Sequence, residues 1–137
     1  MLYSYVYMIK MTKTFARSDA TMAQYIQMTK ERQDSGVEIN PFKDWRSQTV
    51  KEFEHWVIIP NKYPYDAIAT VNHMITPKRE VLFDWRLLTQ EEEKELNILK
   101  ETYLNENYDV VWENLPKGQT IPTQFHLHLL VLKREEV

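Results

Sequence analysis

The sequence predicts an α+β fold: an antiparallel sheet of about five strands with helices packed on one side. Three observations lead there. Residues 124–132 alternate apolar and polar side chains with the period of two that an extended chain requires. Residues 108–113 read as another strand, and the loop 114–122 joins the two as antiparallel neighbours. Between the earlier strands and this pair stands one strongly signalled helix, which acts as a long crossover.

Taken in order, residues 2–9 alternate aromatic or aliphatic with small or polar side chains, a weak strand signal. Ser18-Asp19-Ala20-Thr21 then caps a helix that runs to about Arg32, with Met22, Tyr25, Ile26 and Thr29 at helical spacing, until Asp34-Ser35-Gly36 stops it. After a connection rich in proline and asparagine, residues 50–59 form a strand. Its run Trp56-Val57-Ile58-Ile59 implies burial on both faces. Pro60 to Asp66 is a turn by composition, and residues 67–76 are the next strand. Thr89-Gln90-Glu91-Glu92 is a capping box. Leu96, Ile98, Leu99, Tyr103 and Leu104 stripe the helix behind it, and the three glutamates complement the dipole at its start. The expectation is a single domain over 1–137, with residues of about 1–40 as an N-terminal strand and helix extension.

Composition excludes several classes of function. There is no cysteine, so disulfides, thiolate catalysis and zinc–thiolate sites are ruled out, in keeping with a reducing, cytoplasmic setting. A net charge of -3 and a pI near 5.8 do not suit a protein that coats long nucleic acid. A small phosphorylated ligand needs only a local anion site. Met1 to Met11 has neither a basic start nor a small-residue cleavage site, so it does not read as a signal peptide. No apolar run reaches a membrane-spanning length, so no membrane partner is expected.

The chemistry is expected on the last strand. Phe125, Leu127, Leu129 and Val131 point one way, leaving Gln124, His126 and His128 on the other. The chain has four histidines, and two of them on neighbouring same-face positions offer acid, base, nucleophile or ligand groups near neutral pH. They can equally decorate the solvated face of an edge strand. Immediately upstream, Asn114-Leu115-Pro116-Lys117-Gly118-Gln119-Thr120 supplies amides and a hydroxyl that suit an anion.

Gly118-Gln119-Thr120-Ile121-Pro122, followed by Gln124-Phe125-His126-Leu127-His128-Leu129-Leu130, resembles the histidine triad (HIT) superfamily, whose motif is His-φ-His-φ-His-φ-φ with φ apolar. In the favoured frame Gln124 replaces the first histidine, while His126 and His128 are the second and third. A rival frame starts at His126 and ends on Leu130. The resemblance implies a HIT-like sheet and a hydrolase or nucleotidyl transferase that acts at the α-phosphate of a nucleotide ester, anhydride or phosphoramidate. His126 would be the nucleophile, His128 would assist the phosphate or the leaving group, and the donors at Gly118, Gln119 and Thr120 would hold the phosphate oxygens. Asn61 would contact the nucleoside, although an Asx-type turn explains it equally well. His73-Met74-Ile75-Thr76-Pro77-Lys78-Arg79 is similar to a supporting segment of the family. Either Asn72 or His73 can face the site, but not both, and Lys78 can attract phosphate. The implied ligands are a purine nucleotide or dinucleoside polyphosphate, with no cofactor, no metal and a possible homodimer. Two other readings remain: a nucleotide-binding module with little or no catalysis, and a metal site built from His126, His128 and a carboxylate or His73.

Overall fold

A computed structural model of the chain describes residues 15–36, 42–82, 84–118 and 124–136. The strand expected at 2–9, and Gln119 and Thr120, lie outside the described residues. Among those described, five antiparallel strands form one sheet: β1 (Lys51–Glu52), β2 (Trp56–Pro60), β3 (Ala69–Pro77), β4 (Val110–Trp112) and β5 (Leu127–Leu132), in the spatial order β1-β2-β3-β5-β4. Helix α1 (Asp19–Ser35) precedes the sheet, and α2 (Gln90–Glu101) with α3 (Tyr103–Asn107) forms the crossover from β3 to β4.

The register sorts side chains onto two faces. Ile58, Ile75 and Leu127 are opposite one another on β2, β3 and β5. They bury with Trp56 and Leu129 against Leu96, Leu99 and Leu104 of the crossover helices. The capping box is in place: the Thr89 hydroxyl accepts from the amide of Glu92, and the Glu92 carboxylate accepts from the amide of Thr89. Ile98 of the expected stripe points to solvent, since Leu96, Leu99 and Leu104 already fill the space over the sheet. The other face carries Val57, Ile59 and Met74, which bury against Phe42 and Trp45.

Two expectations are revised. Residues 50–59 do not form one strand but a hairpin, in which the amide of Phe53 donates to the carbonyl of Trp56 and the polar pair Glu54-His55 takes the turn. Helices on one side of the sheet describes the crossover pair. Helix α1 stands on the opposite face, where Tyr25 and Met28 line a cavity with Met74, His126 and His128. Its ends match their sequence signals: Ser18 caps the start, and Gly36 ends it at φ 68°, a left-handed geometry that glycine adopts without strain.

Candidate functional site

His126 and His128 project from the same side of the last strand, with ring centroids 5.3 Å apart. Both side chains are buried, at 7% and 4% exposure. His126 leans on the Phe42 ring at 4.8 Å, and His128 stacks on Tyr65 at 4.5 Å. The ring Nδ1 of His126 donates to the carbonyl of Gln124 at 2.9 Å. That bond puts the proton on Nδ1 and the lone pair on Nε2, the tautomer a nucleophile needs.

Asn72 sets the tautomer of His128. Its Oδ1 accepts from Nδ2 of Asn61 and from the amide of Tyr65, each at 3.0 Å, so its Nδ2 edge must face the ring. Nδ2 donates to the carbonyl of His73 at 3.0 Å and to Nδ1 of His128 at 3.3 Å. Nδ1 is therefore an acceptor, and Nε2–H donates to the Tyr65 hydroxyl at 3.3 Å. Nδ2 of Asn114 donates to that hydroxyl as well, at 3.0 Å. Burial, joined by repulsion from His126 and Arg17, holds the His128 pKa well below the ordinary imidazole value. Burial also lowers that of His126, against a smaller opposing effect of the Gln124 carbonyl. Both rings are thus neutral at neutral pH.

The pair opens on a cavity of about 100 Å³, whose charged lining is Arg17, Arg32 and Lys62. Among the described residues no carboxylate lines it. Arg17 donates Nε–H to the carbonyl of Tyr63 at 2.8 Å, with its guanidinium 4.4 Å from the centre of the Tyr25 ring and 4.8 Å from that of Tyr65.

The remaining expected site residues divide. Asn61 lines the cavity and also makes the Asx turn, accepting from the amide of Tyr63 at 3.0 Å. Asn72, not His73, faces the site. His73 is on the opposite side of β3, where its Nδ1 lies 2.6 Å from the Tyr108 hydroxyl, because consecutive residues of a strand alternate faces. The metal reading thereby lacks its third ligand: His73 is on the wrong face, and no acidic group joins the cavity among the described residues. Gln124 is 2% exposed and fully engaged. Its Oε1 accepts from the amide of Val81 at 3.0 Å, while Nε2 donates towards Thr76 Oγ1 and the carbonyls of Pro77 and Arg79 at 3.0 to 3.2 Å. The amide of Gly118 donates to the carbonyl of Leu115 inside a short 3-10 turn, so it does not present the free donor expected of it. Lys78 pairs with Glu52 at 3.6 Å and lies over Trp45, away from the histidine cavity.

Arg17, Arg32, Phe42 and Tyr65 were not singled out in the sequence. One signal was available, since Tyr25, Met28 and Arg32 follow i, i+3, i+7 spacing and form one face of α1 that ends in a cation. No family model matches the chain, and no curated protein does. Among solved structures the chain is similar to one described as "Hit Like Protein", with 17% identity over 68% of this chain and 98% of that one and a TM-score of 0.48.

Proposed function

We propose that the chain acts on phosphorus, as a hydrolase or nucleotidyl transferase at the α-phosphate of a purine nucleotide phosphoramidate, ester or anhydride such as a dinucleoside polyphosphate. His126 Nε2 attacks the α-phosphorus; a P–N bond forms, the bond to the leaving group breaks, and the leaving group takes up a proton. Water then cleaves the P–N bond, releasing the nucleoside monophosphate and neutral His126. The observation that carries this reading is the Nδ1–H bond from His126 to the Gln124 carbonyl, which leaves the lone pair on Nε2 of a ring that lines a cavity with cationic walls. His128 stands beside it with its own tautomer set by Asn72. A second reading, nucleotide binding with little turnover, is favoured by Gln124, whose amide is committed to the backbone of the β3 end and has no capacity left for a substrate.

The test is incubation with an adenosine phosphoramidate or a diadenosine polyphosphate, an alkaline quench and intact-mass analysis. A nucleotidyl adduct and turnover are expected, both lost in His126→Ala, with the rate down by at least about a thousandfold. Turnover that survives His126→Ala removes the assignment. AMP binding without turnover selects the second reading.

A further inference from the structure

Among the described residues, most arginines that touch a partner touch an acid. Arg79 binds Glu92, Arg86 binds Asp84 and Arg134 binds Asp109. The two in the histidine cavity do not. Arg17 is 8% exposed, and its only partners among the described residues are a carbonyl and two neutral aromatic rings. Arg32, half-buried, has a buried Nε with no hydrogen-bond partner among the described residues. A guanidinium near a helix C-terminus is favourable in water, but that does not account for an Nε buried and left unmatched, which costs free energy. Lys62 adds a third positive charge at the same cavity, over the Tyr63 ring, and the neutral histidines supply no counter-charge.

We propose that Arg17, just before α1, and Arg32, in its last turn, are the anion-binding residues of this cavity, and that the group they hold is a phosphate dianion at the end of a phosphomonoester such as the released nucleoside monophosphate. A guanidinium fork matches phosphate oxygens in bidentate geometry. The enclosed volume of about 100 Å³ suits one phosphoryl group, whereas a whole drug-sized ligand needs roughly 300 Å³ or more, so the nucleoside extends outwards. This deepens the phosphorus chemistry proposed above and rests on the same cavity. It transfers the anion-holding role from the Gly118 turn to α1 and the residue that leads into its cap.

The experiment measures binding of AMP, inorganic phosphate and adenosine to the full chain by calorimetry at low ionic strength, together with thermal unfolding. AMP is expected to bind at least about tenfold more tightly than adenosine. Arg32→Gln should weaken AMP by about tenfold and leave adenosine unchanged, with Arg32→Lys intermediate. Because the substitution removes a buried, unmatched Nε, the Tm of ligand-free Arg32→Gln should be unchanged or higher, whereas a merely structural arginine would lower it. Inorganic phosphate binding as tightly as AMP would identify the free anion as the ligand. AMP affinity in Arg32→Gln within about twofold of wild type overturns the assignment. The two proposals fail separately. AMP binding that depends on Arg32 without turnover defeats the catalytic reading alone, and turnover through His126 that ignores Arg32→Gln defeats this one alone.

Discussion

Gln124 shows how a side chain read as part of a motif can be held in place by bonds unrelated to that motif. In the resemblance drawn from sequence it would stand where a triad histidine does, so that a Gln124→His change would look like a repair. Its amide, however, joins the end of β3 to the segment that enters β5: Oε1 takes the Val81 amide, and Nε2 reaches Thr76 Oγ1 and the carbonyls of Pro77 and Arg79. An imidazole has one donor and one acceptor when neutral and cannot replace all of these bonds. Gln124→His is therefore expected to lower unfolding stability by about 1–3 kcal/mol, the cost of leaving a buried polar group unmatched, with no gain in turnover. Urea unfolding and the phosphoramidate assay check the two halves; a faster enzyme of unchanged stability would refute both. The side chains of Asn72 and His73 show the limit of local reading. Alternation dictated that one of them faces the histidines, but the choice depends on the pairing of Asn72 with Leu130 and of Met74 with His128 across the strands, and that register is not written in either residue.

At the scale of elements, α1 determines what the site can bind. It is held at its start by Asp66, whose carboxylate accepts from the Ser18 amide and hydroxyl at 2.8 Å each and from the Thr21 hydroxyl at 2.6 Å. Burial raises the pKa of this carboxyl, but the bonds from Ser18 and Thr21 outweigh it and hold the group at about 2. Asp66→Ala should cost about 1–2 kcal/mol, the scale of a lost helix cap, and should weaken AMP binding as Arg17 loses its fixed position. Differential scanning calorimetry and AMP titration test this together. A variant with weaker AMP binding but intact stability would mean that Asp66 acts on the ligand and not on the helix. Since the folded pKa lies below the ordinary 3.8, this contribution is complete above pH 3.8 and is lost as the pH falls towards 2. The helix and both its caps could be read from local residues. Its docking on the histidine face could not, because the contact joins residues such as Arg17 and Tyr63 that lie 46 positions apart.

For the whole molecule, three of the four histidines are folded in neutral form. Burial lowers the pKa of His73, of His126 and, with added repulsion from His126 and Arg17, of His128. An unfolded histidine titrates at about 6.5, so below that pH the unfolded chain binds protons the native state refuses. The histidine contribution is thus full above pH 6.5 and declines as the pH falls towards the folded values. The carboxylates of Asp84, Glu92 and Asp109, all lowered, act only at lower pH. Urea midpoints measured at pH 7.5 and 5.5 should fall with acidification, and His128→Asn should flatten the decline. A midpoint independent of pH across this interval would mean that the native histidines accept protons as readily as the unfolded ones.

The sequence by itself determined the α+β class, the two capped helices, the buried run of β2 and the placing of His126 and His128 on one face, because capping, alternation and apolar runs are set by residues within a few positions of each other. Only the tertiary structure decided that Arg17 and Arg32 line the same cavity as His126 and His128, that His73 does not, and that the amides of Gln124 and Gly118 are already in use. Each of those outcomes depends on which hydrogen-bond partner or charge arrives from a distant part of the chain. Local periodicity carries no record of that choice.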